Sequence, residues 1–416
     1  MTAPTMVAGR PSGLRAGRRL APGSFARVRA RTLLEGCKWD PQVGDAATLA
    51  DFPLVLPERE WAWLARQAEQ LAAEAALAEV EIAGRPECLR QLGMPAALRA
   101  VLADQAPLTP AAARVIRFDF HPTTEGWRIS EANSDVPGGY GEASRFTELM
   151  AEHYEGLHPA GDTSVTLGAA LMKVTATEPT VALLAAPRYM EDQQVVAFLA
   201  QALRARGLRA VLAKPEQLVW TRGEASLATD WYAGPVGAIV RFYQAEWLAR
   251  LPAQTGWQHC FRGGSTPVMN PPLAVISESK RFPLVWDQLA TPLPTWRALL
   301  PETRAPAALP WRTGRDWLLK TAYGNTGDTV SLPDLLSPAQ WWRTRLTARL
   351  AAKEWLAQRR FTSVPIATPA GDRHVCVGVY TVNGCAAGAY ARLAPRPLID
   401  FAATDVPLLL EPHDQP

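Results

Sequence analysis

The sequence predicts a mixed α/β protein, and three observations carry that expectation. Residues 59–82 repeat apolar side chains at helical spacing. Residues 115–133 hold two runs of period-two alternation joined by a turn-rich link. Residues 164–262 alternate short apolar strands with helical stretches, the pattern of a parallel open sheet.

Each element has a local cause. In the first helix Trp61, Leu64, Ala68, Leu71, Ala75 and Val80 recur on one face, with Glu, Gln and Arg between them. Pro57 precedes it, and Gly84-Arg85-Pro86 ends it. A second helical piece covers 95–104. Val115-Ile116-Arg117-Phe118-Asp119-Phe120 then places Arg117 and Asp119 on one face of a strand, and Ile116, Phe118 and Phe120 on the other. After the turn at 121–126, a second strand puts Glu131 and Asn133 on one face. Asp135 and Pro137 to Gly141 form a loop, and a helix follows over 142–154.

Strands are expected at 181–185, 207–212 and 238–242, with a helix at 194–206 between the first two. Another helix is expected near 280–289, then a Pro-rich link at 291–310. Residues 316–320 read as a strand and 321–327 as a glycine-bearing loop. β-like character resumes at 328–332, and a basic, Trp-containing helix covers 338–349. Strands near 374–382 and 386–393 are joined by Asn383-Gly384, a strong hairpin signal.

The 416 residues suffice for two or three packed units. With 48% hydrophobic and 20% charged residues, the composition is that of a folded globular chain. A net charge of +3 is too small to imply a nucleic-acid partner. The basic start (Arg10, Arg15, Arg18, Arg19, Arg27, Arg29 and Arg31, with no acid before Glu35) reads first as a flexible tail. An organelle-targeting peptide and a nucleic-acid arm are the other readings. The five cysteines (Cys37, Cys88, Cys260, Cys376 and Cys385) form no C-x-x-C pair, so neither a zinc site nor a disulfide framework is indicated. No apolar run approaches the ~18 residues of a membrane span. A cytoplasmic protein is expected, with no nucleic-acid or membrane partner. A homo-oligomer is an open option.

The hairpin at 115–133 carries the most chemistry. One arginine, two carboxylates and one amide share its polar face. Magnesium takes oxygen ligands and keeps waters and phosphate oxygens in its shell. Asp119, Glu131 and Asn133 supply such oxygens, and the planar fork of Arg117 suits a phosphate. On spacing alone, a solvated hairpin with a surface ion pair is the stronger reading. Lys320 precedes a glycine loop whose amides, with the lysine, can hold a triphosphate. Lys280 and Arg392 are uninformative singly. Glu191 and Asp192 sit where a strand gives way to a helix: they are dipole complements, or binders of a cationic amine. Trp61, Trp341, Trp342 and Trp355 read as packing residues.

Taken together, Arg117-Phe-Asp119 and Glu131-Ala-Asn133-Ser-Asp135 resemble the metal and phosphate motif of the glutathionylspermidine synthase family. The resemblance continues through Met190-Glu191-Asp192, Arg241-Phe-Tyr-Gln-Ala-Glu246-Trp247, Asn270-Pro-Pro-Leu, Ser279-Lys280, Leu319-Lys320-Thr-Ala-Tyr-Gly324-Asn-Thr-Gly327, Gly388-Ala-Tyr-Ala-Arg392 and Thr404-Asp405-Val-Pro407. It spans the chain from about Trp39 onward. It implies a permuted ATP-grasp fold, in which metal ligands precede the nucleotide lysines, with an inserted small open-sheet α/β substrate domain. The corresponding division is a basic tail at 1–34, a helical segment with the metal-binding hairpin at 35–160, the substrate domain at 161–265 and the nucleotide-binding part at 266–416.

The resemblance also implies roles. Asp119, Glu131 and Asn133 would bind magnesium, as two ions. Lys280, Lys320, Tyr323, Gly324, Asn325, Gly327 and Gln358 would hold ATP. Arg117 and Arg392 would stabilise the phosphoryl group in transfer, and Glu191 and Asp192 would face the amine. The implied activity is ADP-forming ligation of a small-molecule carboxylate to an amine or polyamine through an acyl phosphate. Val136 and Gly138 stand where glutathione-using members carry hydroxyl residues, and Asn325 stands where an arginine is usual. The acid is therefore open to being a carboxylate other than glutathione. The resemblance is to the synthetase part only, and no fused amidase domain is expected. The alternative expectation is a catalytically reduced nucleotide-binding regulatory protein on the same fold.

Overall fold

The central element is a sheet of eight strands that gathers residues from both ends of the chain. In a computed structural model, residues 12–43, 46–187, 189–309, 316–324 and 329–412 are described. The sheet runs Arg15–Ala16, Leu54–Pro57, Thr404–Glu411, Cys385–Ala394, His374–Val382, Val115–Thr123, Gly126–Asn133, and His158–Pro159 also pairs with Thr404–Glu411. Leu54–Pro57 and Thr404–Glu411 are parallel, and the other pairs are antiparallel. The expected hairpin at 115–133 forms two of these strands, with a bulge between Asp119 and Phe120. The hairpin at Asn383-Gly384 forms two more, with Asn383 and Gly384 both at positive φ as such a turn requires.

The helix expected at 59–82 spans Glu58–Ala83 and packs one face on the main core with Leu64, Ala68, Leu71, Ala75 and Ile82. Val80 departs from expectation. It is exposed, while Glu79 is buried and binds Arg114. The buried face runs through Ala75, Ala78, Glu79 and Ile82, one residue out of phase with Val80, because the buried ion pair places an acid within the apolar stripe.

The second unit is a four-stranded parallel sheet, ordered Val268–Met269, Ala238–Phe242, Thr180–Ala185, Arg209–Ala213. The helix Met190–Arg204 packs on it. Continuous apolar strands buried on both faces fit a parallel sheet. A small antiparallel sheet of Leu218–Thr221, Glu224–Ala228 and Ala233–Pro235 follows, which local pattern had not indicated. A third layer pairs Thr303–Arg304, Trp355–Arg359 and Trp317–Thr321, with the helix Pro338–Leu350 beside it. The mixed α/β class is therefore the one observed.

Several local expectations are corrected. The basic start is no loose tail over its described part: Pro22–Glu35 is helical, Leu14, Leu20 and Val28 are buried, and Arg15–Ala16 adds a strand. Three of its arginines pair with acids, Arg31 with Glu35 and Glu152, Arg15 with Glu411 and Arg19 with Asp51. The helix expected at 142–154 begins as one π turn, Glu142–Phe146. The helix expected at 280–289 is a 3₁₀ stretch, Phe282–Gln288. The Pro-rich link holds a short helix, Pro294–Leu299, with Pro at its first turn. Among the four tryptophans read as packing residues, Trp342 is exposed.

Candidate functional site

Strand register decides which side chains share a face. Arg117 lies opposite Asn133, and Asp119 opposite Glu131. On the next strand Gly378 faces Asp119 and Tyr380 faces Arg117. Beyond these, Tyr390 faces Gly378, Arg392 faces Cys376, and Asp405 faces Arg392. Period-two geometry puts all of them on one side of the sheet. That side forms a wall of a cavity of about 550 Å³.

The ion pair foreseen on the hairpin exists, but it is buried rather than solvated. Arg117 Nε donates to Asp119 Oδ1 at 2.7 Å and Nη2 to Oδ2 at 3.0 Å, a two-pronged pair. Its Nη1 donates to the Gly138 carbonyl at 3.1 Å, which Tyr380 Oη also reaches. Gly378 makes this possible, since a Cβ there would stand 2.8 Å from Arg117 Cδ. Burial works against the charge on Arg117, yet Asp119, Tyr390 and Tyr380 together outweigh it and raise the guanidinium.

Glu131 sits between two lysines. Lys280 Nζ is 3.5 Å and Lys320 Nζ 4.0 Å from Glu131 Oε2. Burial alone would raise the carboxyl, but Lys280, Lys320 and Arg117 hold it at about 2. Lys280 is raised because Glu131 and Glu278 overcome its burial. Burial dominates at Lys320, bringing it down to about 8. Lys280 Nζ also donates to the Gly324 carbonyl at 2.6 Å, and Lys320 Nζ to that of Ser130 at 3.1 Å. Lys320 and Gln358, on adjacent strands, line the large cavity. Lys280 lines a small one of about 20 Å³ that shares Ser130, Glu131 and Gln358 with it.

The donor set suits magnesium chemically. Asp119 and Glu131 offer carboxylate oxygens. The Asn133 amide, whose Nδ2 lies 3.3 Å from Asp119 Oδ2, carries an oxygen that a turn of its terminal torsion would present. Among the described residues no group of three or more His, Cys, Asp or Glu side chains could hold a metal ion. The set here has two carboxylates, so phosphate and water oxygens would have to complete the shell.

The other proposed positions fall at distinct places. Val136 and Gly138 line the large cavity. Tyr323 and Gly324 do not line it: Tyr323 Oη donates to the Val275 carbonyl at 3.1 Å. Asn325 and Gly327 lie outside the described residues. Glu191 and Asp192 open the helix Met190–Arg204 after the strand Thr180–Ala185, and both line the cavity. Glu191 is exposed, while Asp192 is 3% exposed. Burial first, and Glu191 second, push the Asp192 carboxyl up to about 8, a hydrogen bond with Gln244 only partly offsetting them. Asp192 Oδ2 and Gln244 Oε1 are buried acceptors without a donor.

Three lining features were not read from local pattern. His121 is held at about 4, mainly by burial, with Nδ1 on the Val375 carbonyl and Nε2 on Ser130 Oγ. Since a carbonyl only accepts, the proton is on Nδ1. Lys38 meets Glu142, Asp405 and Asp40 at the opposite end. Gln244 follows the strand Ala238–Phe242, at the carboxyl edge where open sheets bind ligands. Asp405 reaches the cavity through antiparallel register between distant segments, and Lys38 through the irregular stretch after the helix Pro22–Glu35, which no periodicity marks. A carboxyl-edge count would have found Gln244.

The loop after Asn133 is fixed from behind. The Asp135 carboxylate takes Arg241, which is fully buried, and the Ala245 amide at 2.8 Å. Glu278 Oε2 accepts from the Ser134 and Asp135 amides at 2.6 and 2.8 Å. Asn270 Nδ2 donates to the Asp135 carbonyl at 3.0 Å. The parallel sheet thereby holds the loop that carries Val136 and Gly138.

No curated protein sequence matches this chain. By structure it is similar to a glutathione synthetase-like effector from Globodera pallida in its apo form, with 12% identity and a TM-score of 0.60. That match covers 93% of this chain and 96% of the other. A chain named for gamma-glutamylcysteine synthetase, from Methylobacillus flagellatus KT, matches at 12% identity and a TM-score of 0.39, covering 81% and 86%. The first likeness is one of fold alone, and the second carries no argument. The family model described as glutathionylspermidine synthase preATP-grasp matches residues 36–411. The sequence motifs, the α/β architecture and that match over nearly the whole chain agree: this chain belongs to the glutathionylspermidine synthase preATP-grasp family, a family of synthetase-like, ligase character.

Proposed function

We propose that the protein is an ATP-dependent, ADP-forming carboxylate–amine ligase. The observation that supports it most is the meeting of Arg117, Asp119, Glu131, Lys320 and Arg392 on one cavity, with the buried Asp192 on the same cavity's wall.

A carboxylate resists attack by an amine because oxide would have to leave. Transfer of the γ-phosphoryl of ATP to a carboxylate oxygen breaks the bond to ADP and makes an acyl phosphate. The amine lone pair then attacks the carbonyl carbon, phosphate leaves with the C–O electron pair, and the amine nitrogen loses a proton. Lys280, Lys320 and Gln358 would hold the nucleotide. Arg117 and Arg392 would face the phosphoryl oxygens, where fixed cations act on charge as it moves. Asp119, Glu131 and Asn133 would hold magnesium, which supplies charge neutralisation of phosphate oxygens when bound. Asp192, with Glu191, would orient the amine; a cationic amine beside it would favour the ionised carboxylate, the form that can take the proton. Val136 and Gly138 would border the acid, whose identity is open.

The test is release of ADP and phosphate from ATP and magnesium with panels of carboxylic acids and amines, with hydroxylamine to trap acyl phosphate as a hydroxamate. Turnover that depends on both substrates, and is lost in Glu131→Ala, is expected. Tight ATP binding with no ADP release for any pair would sink the ligase reading and favour a nucleotide-binding regulator.

A further inference from the structure

We propose that Lys38 is a positioning residue: it draws the Asp405 carboxylate aside and so keeps the Arg392 guanidinium available to the cavity. This rests on the reading of Arg392 as a group that faces the reacting phosphoryl.

Two arginines on this sheet face carboxylates, with opposite outcomes. Arg117 is locked to Asp119 through two hydrogen bonds of 2.7 and 3.0 Å. Arg392 lies directly across from Asp405 on the neighbouring strand, yet its Nε is 3.9 Å from Asp405 Oδ1. The backbone does not explain the gap. Asp405 is pinned on both sides, its amide donating to the Thr48 carbonyl at 2.6 Å and its carbonyl accepting from Ala50 at 2.9 Å. A carboxylate fixed opposite a guanidinium would close a two-pronged pair, the favoured geometry for these groups.

Lys38 is what competes. Its Nζ lies 3.1 Å from Asp405 Oδ2 and 2.8 Å from Glu142 Oε1, with Asp40 Oδ1 at 3.5 Å. The Lys38, Glu142 and Asp405 side chains are 13%, 13% and 11% exposed, so solvent screens the contacts little. Lys38 follows the helix Pro22–Glu35, and Glu142 stands in the single π turn of the chain's described residues, a local form often found at functional sites. Arg392 is held from its other side, where Nη2 donates to the Asp400 carbonyl at 2.6 Å. Lys38, Glu142, Asp405 and Arg392 all line the large cavity. The ammonium therefore decides how Asp405 divides itself between two cations.

The experiment reads Arg392 directly. Native protein and two charge-matched double variants, Lys38→Met/Glu142→Gln and Lys38→Met/Asp405→Asn, are treated with phenylglyoxal without nucleotide. The rate of Arg392 labelling is followed by peptide mass spectrometry. The first variant frees Asp405 to close on Arg392, and labelling should slow about tenfold, the factor that corresponds to about 1.4 kcal/mol of added pairing. The second lacks the competing carboxylate and should label at the native rate or faster. Asp405→Asn alone, with Lys38 still held by Glu142, should also label no slower than the native chain. Unchanged labelling in the first variant, or slowed labelling in either of the others, overturns the proposal. ATP protection of Arg392 in the native protein is scored separately. Its absence removes the role given to Arg392 and leaves the labelling comparison standing.

Discussion

Replacing Asp192 by asparagine should stabilise the protein and disable it. The carboxyl is buried at the carboxyl edge of the parallel sheet, with Glu191, Tyr243 and Gln244 as the polar groups around it. Its pKa rises from 3.8 to about 8 on folding, burial being the larger cause. The sign follows from proton counts. Between those two values the folded chain holds a proton that the unfolded chain has released, so stability falls as pH rises through the window. Below it, both states are protonated and the substitution changes nothing through this route. An amide cannot ionise, so the variant escapes the loss. The gain grows by about 1.4 kcal/mol per pH unit, reaching at most about 4 kcal/mol at pH 7 and levelling off above pH 8. Urea unfolding of both proteins at pH 5, 6, 7 and 8 measures the difference directly. A stability difference that is flat across that range would refute the argument, because it would mean the carboxyl is not held protonated by burial. Loss of amine-dependent turnover in the same variant would mark Asp192 as a group kept for function at a cost in stability.

Other outcomes follow from the same geometry. Asp135→Asn leaves the fully buried Arg241 without its charge partner, and should lower stability by about 3–5 kcal/mol in urea titration. Gly139→Ala places a Cβ 2.6 Å from Tyr380 Oη and 2.7 Å from the Tyr390 ring at a φ of 88°. It should cost about 1–3 kcal/mol in thermal or urea unfolding and weaken nucleotide binding, since Tyr380 and Arg117 share the adjacent Gly138 carbonyl. Removing magnesium with EDTA should stop ADP release and leave the circular-dichroism melting curve in place, because Arg117, Lys280 and Lys320 already balance Asp119 and Glu131.

Much of the site was legible early because its parts are local. Arg117, Asp119, Glu131 and Asn133 lie within one hairpin, so alternation alone put them on shared faces, and the register confirmed the pairing. The strands 238–242 and 374–382 were readable for the same reason, as was the turn at Asn383-Gly384. Misreadings came where a distant partner overrides the local pattern. Val80 loses its place in the core to Glu79 because Arg114 arrives from another segment. The basic start is ordered because Leu54–Pro57 offers it an edge and Glu411, Glu35 and Glu152 pair with Arg15 and Arg31.

Sequence by itself determined the α/β class, the polar face of the hairpin and the family to which the motifs belong. These rest on periodicities and short motifs that the chain carries within a few residues. Only the tertiary structure decided that the Arg117–Asp119 pair is buried, that Lys280 and Lys320 share Glu131, and that Lys38 pairs with Asp405 where Arg392 lies across from it. Those facts depend on strands that meet across hundreds of residues, and on burial. Burial sets whether a charge is screened by water or governed by its neighbours, and no local pattern encodes it.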